Sequence, residues 1–285
     1  MTVQHSLEAQ GLSSGYGAVT IVDGVDLALP PGRISVIVGA NASGKSTLLK
    51  TLARLLPASS GAVLLDGRRI DQVPTREVAR TLGLLPQTPV APEGIAVADL
   101  VGRGRHPHQR LFRSWTADDE RAVAQALAET GVADLADRSV DELSGGQRQR
   151  VWIAMALAQE TQVLLLDEPT TYLDLTHQIE VLDLLTDLNR ERGTTIAMVL
   201  HDINLAARYA DHLFAMRGGR LVASGAPRDV VTADLIRDVL GLESQVIPDP
   251  VSGTPLILPI GRHHAHPLAA DAPAAAATTP SGAHA

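Results

Sequence analysis

The 285 residues carry a formal charge of -8, no cysteine and 45% hydrophobic residues, at a mean hydropathy of +0.09. These values exclude disulfide scaffolds, thiolate catalysis and cysteine-ligated zinc or iron–sulfur centres, and the acidic balance argues against broad nucleic-acid binding. No apolar run approaches the roughly 20 residues of a membrane-spanning helix, and the start Met1-Thr-Val-Gln-His-Ser has no secretory-signal pattern, so a globular, cytosolic chain is expected.

Residues 1–33 alternate apolar and polar positions between glycine-rich turns, which predicts short antiparallel strands. Tyr16, one of seven aromatic residues, sits there in a glycine-flanked loop. It reads either as an ordinary packing tyrosine or as a ring for stacking on a base.

Val36-Ile-Val38 then runs into Gly39-Ala40-Asn41-Ala42-Ser43-Gly44-Lys45-Ser46-Thr47 and a leucine pattern of helical spacing, Leu48, Leu49, Leu52, Leu55 and Leu56. Strand, phosphate loop and helix follow from that order. Gly39 and Gly44 frame four residues whose backbone N–H groups curl around a phosphate chain. Lys45 reaches the terminal phosphates and Ser46 faces Mg²⁺. Lys45 and Lys50 are the only lysines, and one of them lies in this loop.

Gly61 to Asp66 predicts a strand closing in a tight turn at Asp66-Gly67, and Thr81 to Pro86 a second apolar strand ending at Gln87. That amide is unremarkable by itself, yet it suits a Mg²⁺ ion or a water. From Pro89 to Ala158 the pattern turns helical, with Thr116 as an N-cap followed by three acidic residues and Gly131 as a stop. The stretch from Gly102 to Trp115 is basic with two aromatics and reads as a protein-contact loop in preference to a nucleic-acid site. Leu143-Ser144-Gly145-Gly146-Gln147 opens a further helix. Ser144 serves equally as a plain cap or as part of a second anion-binding helix terminus.

Val163-Leu-Leu-Leu-Asp167-Glu168 is an apolar strand ending in two carboxylates, and ligands of parallel sheets gather at such strand ends. Asp167 suits the Mg²⁺ shell and Glu168 the polarisation of an attacking water. Thr170 to Asp174 leads into an amphipathic helix ended by Gly193. Thr194 to Leu200 is a buried-type strand ending at His201, a residue either structural or turned to a nucleotide. A hairpin over 211–225 and a helix over 232–240 follow. The Ala-, Pro- and His-rich stretch 261–285 is expected to be a disordered tail, with His263, His264 and His266 as adventitious metal ligands at most.

Five features in fixed order, the phosphate loop, Gln87, Leu143 to Gln147, the strand into Asp167-Glu168, and His201, resemble the nucleotide-binding subunit of an ATP-binding cassette transporter over about residues 5 to 260. The resemblance implies an α/β P-loop NTPase with a mostly parallel core sheet, an N-terminal antiparallel β-subdomain and an inserted helical subdomain. The core then covers 1–88 and 159–245, and the helical part 89–158, within a single domain 1–260.

It further implies an ATPase with ATP and Mg²⁺ as ligands. Tyr16 looks like the adenine-stacking residue and residues 39–47 like the phosphate cradle. Ser46, Gln87 and Asp167 resemble the Mg²⁺ shell, and Lys45, Glu168 and His201 the catalytic groups. Two copies would bind head to tail, so that Ser144, Gly145, Gly146 and Gln147 touch ATP held by the other copy and Asp174 crosses between the sites. Two membrane permeases would receive the strokes, a substrate-binding protein would act indirectly, and no nucleic acid would be involved. The place of work is the cytoplasmic side of the bacterial membrane.

Asn41-Ala-Ser-Gly-Lys, Gly102-Arg-Gly-Arg-His-Pro-His-Gln, Glu168-Pro-Thr-Thr-Tyr-Leu-Asp-Leu, Leu200-His-Asp-Ile-Asn and Pro248-Asp-Pro-Val-Ser-Gly-Thr-Pro resemble the ferric-siderophore importers, with the haem and cobalamin importers as the alternative. Ala40 replaces the proline usual there, a backbone-only position. Soluble cassette ATPases of translation or DNA repair are the remaining rivals. They are disfavoured by a single cassette and by the lack of a long coiled coil.

Overall fold

The computed structural model describes residues 4–109, 115–171 and 173–263. Two long strands open the chain, β1 (Leu7–Tyr16) and β2 (Val19–Leu29), paired antiparallel. Their alternation buries Leu7, Ala9 and Leu12 of β1 with Val25, Leu27 and Leu29 of β2. Next comes β3 (Ile34–Val38), buried at all five positions, and α1 (Lys45–Leu52). The chain returns to β1 as β4 (Ser60–Leu65), turns at Asp66 and Gly67, both at positive φ, and adds the short β5 (Arg68–Arg69). The result is an antiparallel sheet of order β2-β1-β4-β5.

After α2 (Thr75–Thr81) and β6 (Leu82–Leu85) the chain becomes helical, with α3 (Val97–Gly102), α4 (Ala117–Glu129) and α5 (Gly145–Ala158). Both α4 and α5 begin with a reciprocal cap, Thr116 with Asp119 and Ser144 with Gln147, which satisfies two otherwise orphaned N–H groups at each start. Val97, Leu100, Val123, Leu127, Val151 and Ile153 pack these helices together.

The second half alternates strand and helix: β7 (Val163–Asp167), α6 (Leu175–Arg192), β8 (Thr195–Val199), α7 (Ile203–Tyr209), β9 (His212–Arg217) and β10 (Arg220–Gly225). Then follow α8 (Pro227–Val230), α9 (Ala233–Leu240) and a hairpin of β11 (Ser244–Pro248) and β12 (Pro255–Pro259). The main sheet has the order β10-β9-β3-β8-β7-β6, parallel throughout except for β10. Alternate residues of its central strands enter two different cores. Ile37, Leu165 and Ala197 meet the antiparallel sheet and α1, whereas Val36, Leu164 and Ile196 meet the helices of the other face.

This order positions the site. Strands β3, β8, β7 and β6 are successive neighbours about 4.8 Å apart, so whatever follows their carboxyl ends converges. Those followers are the Gly39 loop, His201, Asp167-Glu168 and Gln87.

The strands and long helices expected from the sequence are present. The short α2, α3 and α7 and the β11–β12 hairpin were not anticipated. Six or seven residues are too few to display a helical period, and the prolines at 248, 250 and 255 mask the strand signal, although two of them take strand-end positions that need no ladder donor. Arg105 departs from the contact-loop reading. It is 4% exposed, its Nε donating to Asp119 Oδ1 at 3.0 Å and its guanidinium to Ala158 O and Glu160 Oε2, both at 2.7 Å. Burial pushes the Asp119 carboxyl up, but hydrogen bonds from Thr116 and Arg105 outweigh it and hold the group below the usual range. Gly104 is required there because a Cβ would come within 2.2 Å of Met155 O. Residues 110–114 of that loop lie outside the described residues, as do 264–285, most of the expected tail.

Candidate functional site: a phosphate-loop cleft

The loop between β3 and α1 is held by backbone geometry. Gly39 sits at φ +156, where a Cβ would approach Met216 O to 2.3 Å, and Gly44 at φ +100 forms the N-cap of α1. Lys45 folds back over the loop, its Nζ donating to Gly39 O and Ala40 O, each at 2.9 Å. Burial pulls its pKa down, and the charges of Glu168 and Asp167 oppose that shift. Ala40 thus contributes its carbonyl, consistent with a backbone-only position. The Ser43 hydroxyl is buried without a hydrogen-bond partner among the described residues.

Across the loop, Ser46 Oγ donates to Asp167 Oδ1 at 2.8 Å, joining the start of α1 to the end of β7. Asp167 is 2% exposed, and its second oxygen, Oδ2, is buried with no partner among the described residues. Desolvation raises its pKa, a shift that the Ser46 hydrogen bond opposes. A buried carboxylate oxygen without a donor is costly, and a cation beside Ser46 and Asp167 would remove that cost.

Glu168 follows at φ +56, a left-handed conformation rare outside glycine and typical of strained functional positions. Its carboxylate is held on three sides. His201 Nε2 lies 2.7 Å from Oε1, while Gln87 Nε2 and Thr171 Oγ1 donate to Oε2 at 2.5 and 3.0 Å. Residues from three neighbouring strand ends therefore meet on one carboxylate.

The groups line a cleft of about 530 Å³ bounded by Tyr16, Asn41 to Thr47, Gln87, Glu168, Thr171 and His201. Tyr16, at the end of β1, keeps 51% of its surface exposed. The other predicted residues are elsewhere. Ser144, Gly145, Gly146, Gln147 and Asp174 do not line this cleft. Ser144 and Gln147 cap α5, and a Cβ at Gly145 would meet nothing within 4 Å among the described residues, whereas one at Gly146 would touch the His177 ring at 3.0 Å. Asp174 caps α6, accepting from His177 N at 2.9 Å and from His177 Nδ1 at 2.7 Å. These bonds, the backbone one first, keep its carboxyl below the usual range. The phosphate loop and the second glycine-rich helix start are thus separate surfaces of one chain.

Residues 22–171 match the family model described as ABC transporter. The chain belongs to the ATP-binding cassette transporter family. The ferric enterobactin transport ATP-binding protein FepC of Escherichia coli is 54% identical over 256 residues, 90% of this cassette and 94% of that protein. The achromobactin transport ATP-binding protein CbrD of Dickeya dadantii is 54% identical over 257 residues, covering 90% and 96%. A dimeric structure of a bacterial ABC transporter cassette superposes with a TM-score of 0.68 at 26% identity, over 77% of this chain and 98% of that one.

The sequence reading of this cassette overlooked Thr171. A hydroxyl three residues beyond Glu168 is the only local sign that it turns back onto that carboxylate. It also overlooked Gln149, which starts within α5 and donates to Pro169 O at 2.8 Å, tying the glycine-rich helix to the residue after Glu168.

Proposed function

We propose that this cassette is the ATP-hydrolysing subunit of a ferric-siderophore importer, working as a head-to-tail homodimer under two permease subunits on the cytoplasmic face of the bacterial membrane. The observation that carries the reading is 54% identity to a ferric enterobactin transport subunit through 90% of the chain, well beyond the phosphate loop. Among the described residues no helix is long and apolar enough to cross a membrane, so attachment falls to the permeases. A periplasmic-type binding protein would select the cargo and touch this subunit only through them.

In this reading Tyr16 stacks on the adenine. The N–H groups of residues 39–47 and Lys45 bind the β- and γ-phosphates, with the N-terminus of α1 adding its partial positive charge. Mg²⁺ fits the donor set of Ser46, Asp167 and Gln87. The unpartnered Asp167 Oδ2 supports this, and the ion needs only one or two carboxylates when phosphates complete its shell. When bound, it supplies charge neutralisation to the phosphoryl oxygens.

Hydrolysis then follows from the carboxylate fork. Water attacks the γ-phosphorus as Glu168 accepts its proton, the bond to the β-phosphate oxygen breaks, and ADP leaves with the electron pair. His201 orients the water and the γ-phosphate. Because Ser144 to Gln147 do not line their own cleft, a second copy supplies them. Their helix start meets the γ-phosphate across the dimer and Asp174 spans the two sites. Residues 1–88 and 159–245 act as the nucleotide-binding core, and 89–158 as the arm that carries Ser144 towards the partner.

The test is reconstitution with the cognate permease pair in liposomes, measuring ATP turnover with binding proteins loaded with ferric siderophore, haem or cobalamin. Stimulation by the ferric siderophore is expected. Stimulation by haem or cobalamin alone overturns the cargo and leaves the ATPase standing.

A further inference from the structure

Of two stretches singled out in the sequence, Leu200 to Asn204 and Pro248 to Pro255, only His201 reaches the cleft, and Asn204 of the first meets the hairpin that contains the second at Ile257. The hairpin that carries the second is rigid by construction. β11 and β12 pair in unbroken register from Ser244 opposite Pro259 to Pro248 opposite Pro255. Its turn is closed by Asp249 N donating to Thr254 O and Gly253 N to Asp249 O, both at 2.8 Å, and by Val251 N donating to Asp249 Oδ1 at 2.8 Å.

This hairpin is fastened to α7 at one point by a two-way bond. Asn204 Oδ1 accepts from Ile257 N at 2.7 Å, and Asn204 Nδ2 donates to Ile257 O at 3.2 Å. The amide acts as one rung of a sheet ladder, joining the first turn of a helix to the edge of β12. Ile257 is 1% exposed and sits in the same apolar cluster as Ile203 and Leu205, so packing and hydrogen bonds act together. The same turn is held from its other side, where Asp202 Oδ1 accepts from Asn204 N at 2.8 Å and Leu205 N at 3.0 Å.

Leu200 and His201 link the end of β8 to this braced turn, His201 directly before its N-cap Asp202. We propose that the C-terminal hairpin is a brace for His201, and that Asn204 is the positioning residue through which it acts. The inference rests on His201 orienting the water and γ-phosphate in ATP hydrolysis, as proposed above. A ring whose Nε2 must stay within 2.7 Å of Glu168 Oε1 needs its backbone fixed on both sides. The strand fixes one side. The Asn204–Ile257 rung fixes the other.

Full-length wild type, N204A, N204D and N189A are compared by steady-state ATP hydrolysis and thermal unfolding. Asn189 is the control, because its amide also binds two backbone groups, Gly32 O and Thr194 O, away from the cleft. N204A is expected to lower kcat about tenfold with KM for ATP within about twofold, since small misplacements of a catalytic group cost rate more than binding. N204D, which keeps an acceptor for Ile257 N–H but loses the donor to Ile257 O, is expected to lose kcat to a smaller extent with the same KM. N189A is expected to lower Tm while holding kcat within about twofold of wild type. Unchanged kcat in both Asn204 variants, or an equal loss in N189A, overturns the brace. Absence of turnover in the wild type counts instead against the proposed function.

Discussion

His201 Nε2 approaches Glu168 Oε1 to 2.7 Å while Gln87 and Thr171 occupy the other oxygen of the same carboxylate. The group proposed as base is therefore oriented by donors from three separate segments before nucleotide arrives. Only its surroundings need to rearrange for a water to enter, so its position is prepaid by the fold.

Replacing it should separate binding from chemistry. Glu168→Gln preserves the shape and most contacts but cannot take a proton. Turnover is expected to fall by about 10² to 10⁴, with ATP affinity changed only a few-fold. Stalled nucleotide should also hold two copies together, seen as an ATP-dependent shift to dimer in size-exclusion chromatography. Full turnover would remove Glu168 from its role.

Lys45 should report on binding. Its ammonium is held over the loop by two carbonyls, 2.9 Å away, ready to exchange them for phosphate oxygens. Lys45→Ala removes a charged hydrogen bond worth about 1.5 to 3 kcal/mol, so ATP affinity should weaken roughly 10- to 100-fold in equilibrium titration. An unchanged Kd would contradict the phosphate-loop assignment.

Asp167 should show opposite effects on stability and on metal dependence. Its pKa is raised above 3.8 mainly by burial, so folding penalises the ionised form. A group with a raised folded pKa contributes stability below its unfolded pKa and loses it as pH rises through the folded value. Without Mg²⁺, Asp167→Asn should therefore gain in urea midpoint relative to wild type at pH 7, and that advantage should shrink towards pH 4. With MgATP, the same variant should need more Mg²⁺ for half-maximal turnover. A stability difference independent of pH would show that burial of the charge is not the cause.

Arg105 predicts a structural cost away from the cleft. Arg105→Ala leaves Asp119 buried without its cation and Ala158 O without a donor. A loss of about 3 to 5 kcal/mol is expected in denaturant unfolding. Arg103→Ala, two residues away on the exposed side, should stay within about 0.5 kcal/mol. Equal effects would restore the reading of this stretch as an exposed protein-contact loop.

Much of the site was legible because its parts are local. The Gly39–Thr47 spacing specifies its own turn, and apolar runs such as Val163 to Leu166 announce strands buried on both faces. Strand-end position then flagged Gln87, Asp167, Glu168 and His201, all of which meet in or beside the cleft. Thr171, Asn204 and the buried role of Arg105 were not legible. Each depends on partners 3 to 55 residues away whose approach no local period encodes.

The sequence by itself determined the order of elements, the phosphate loop and the residue types available at each strand end, since these depend on periodicity, turn chemistry and short-range backbone geometry. Tertiary structure alone decided which ends become neighbours. The order β3-β8-β7-β6 draws residues 39, 201, 168 and 87 onto one carboxylate and one loop, and it leaves Ser144 and Asp174 outside. That choice comes from burying both faces of a parallel sheet between two apolar cores, a long-range packing condition that no single stretch of the chain contains.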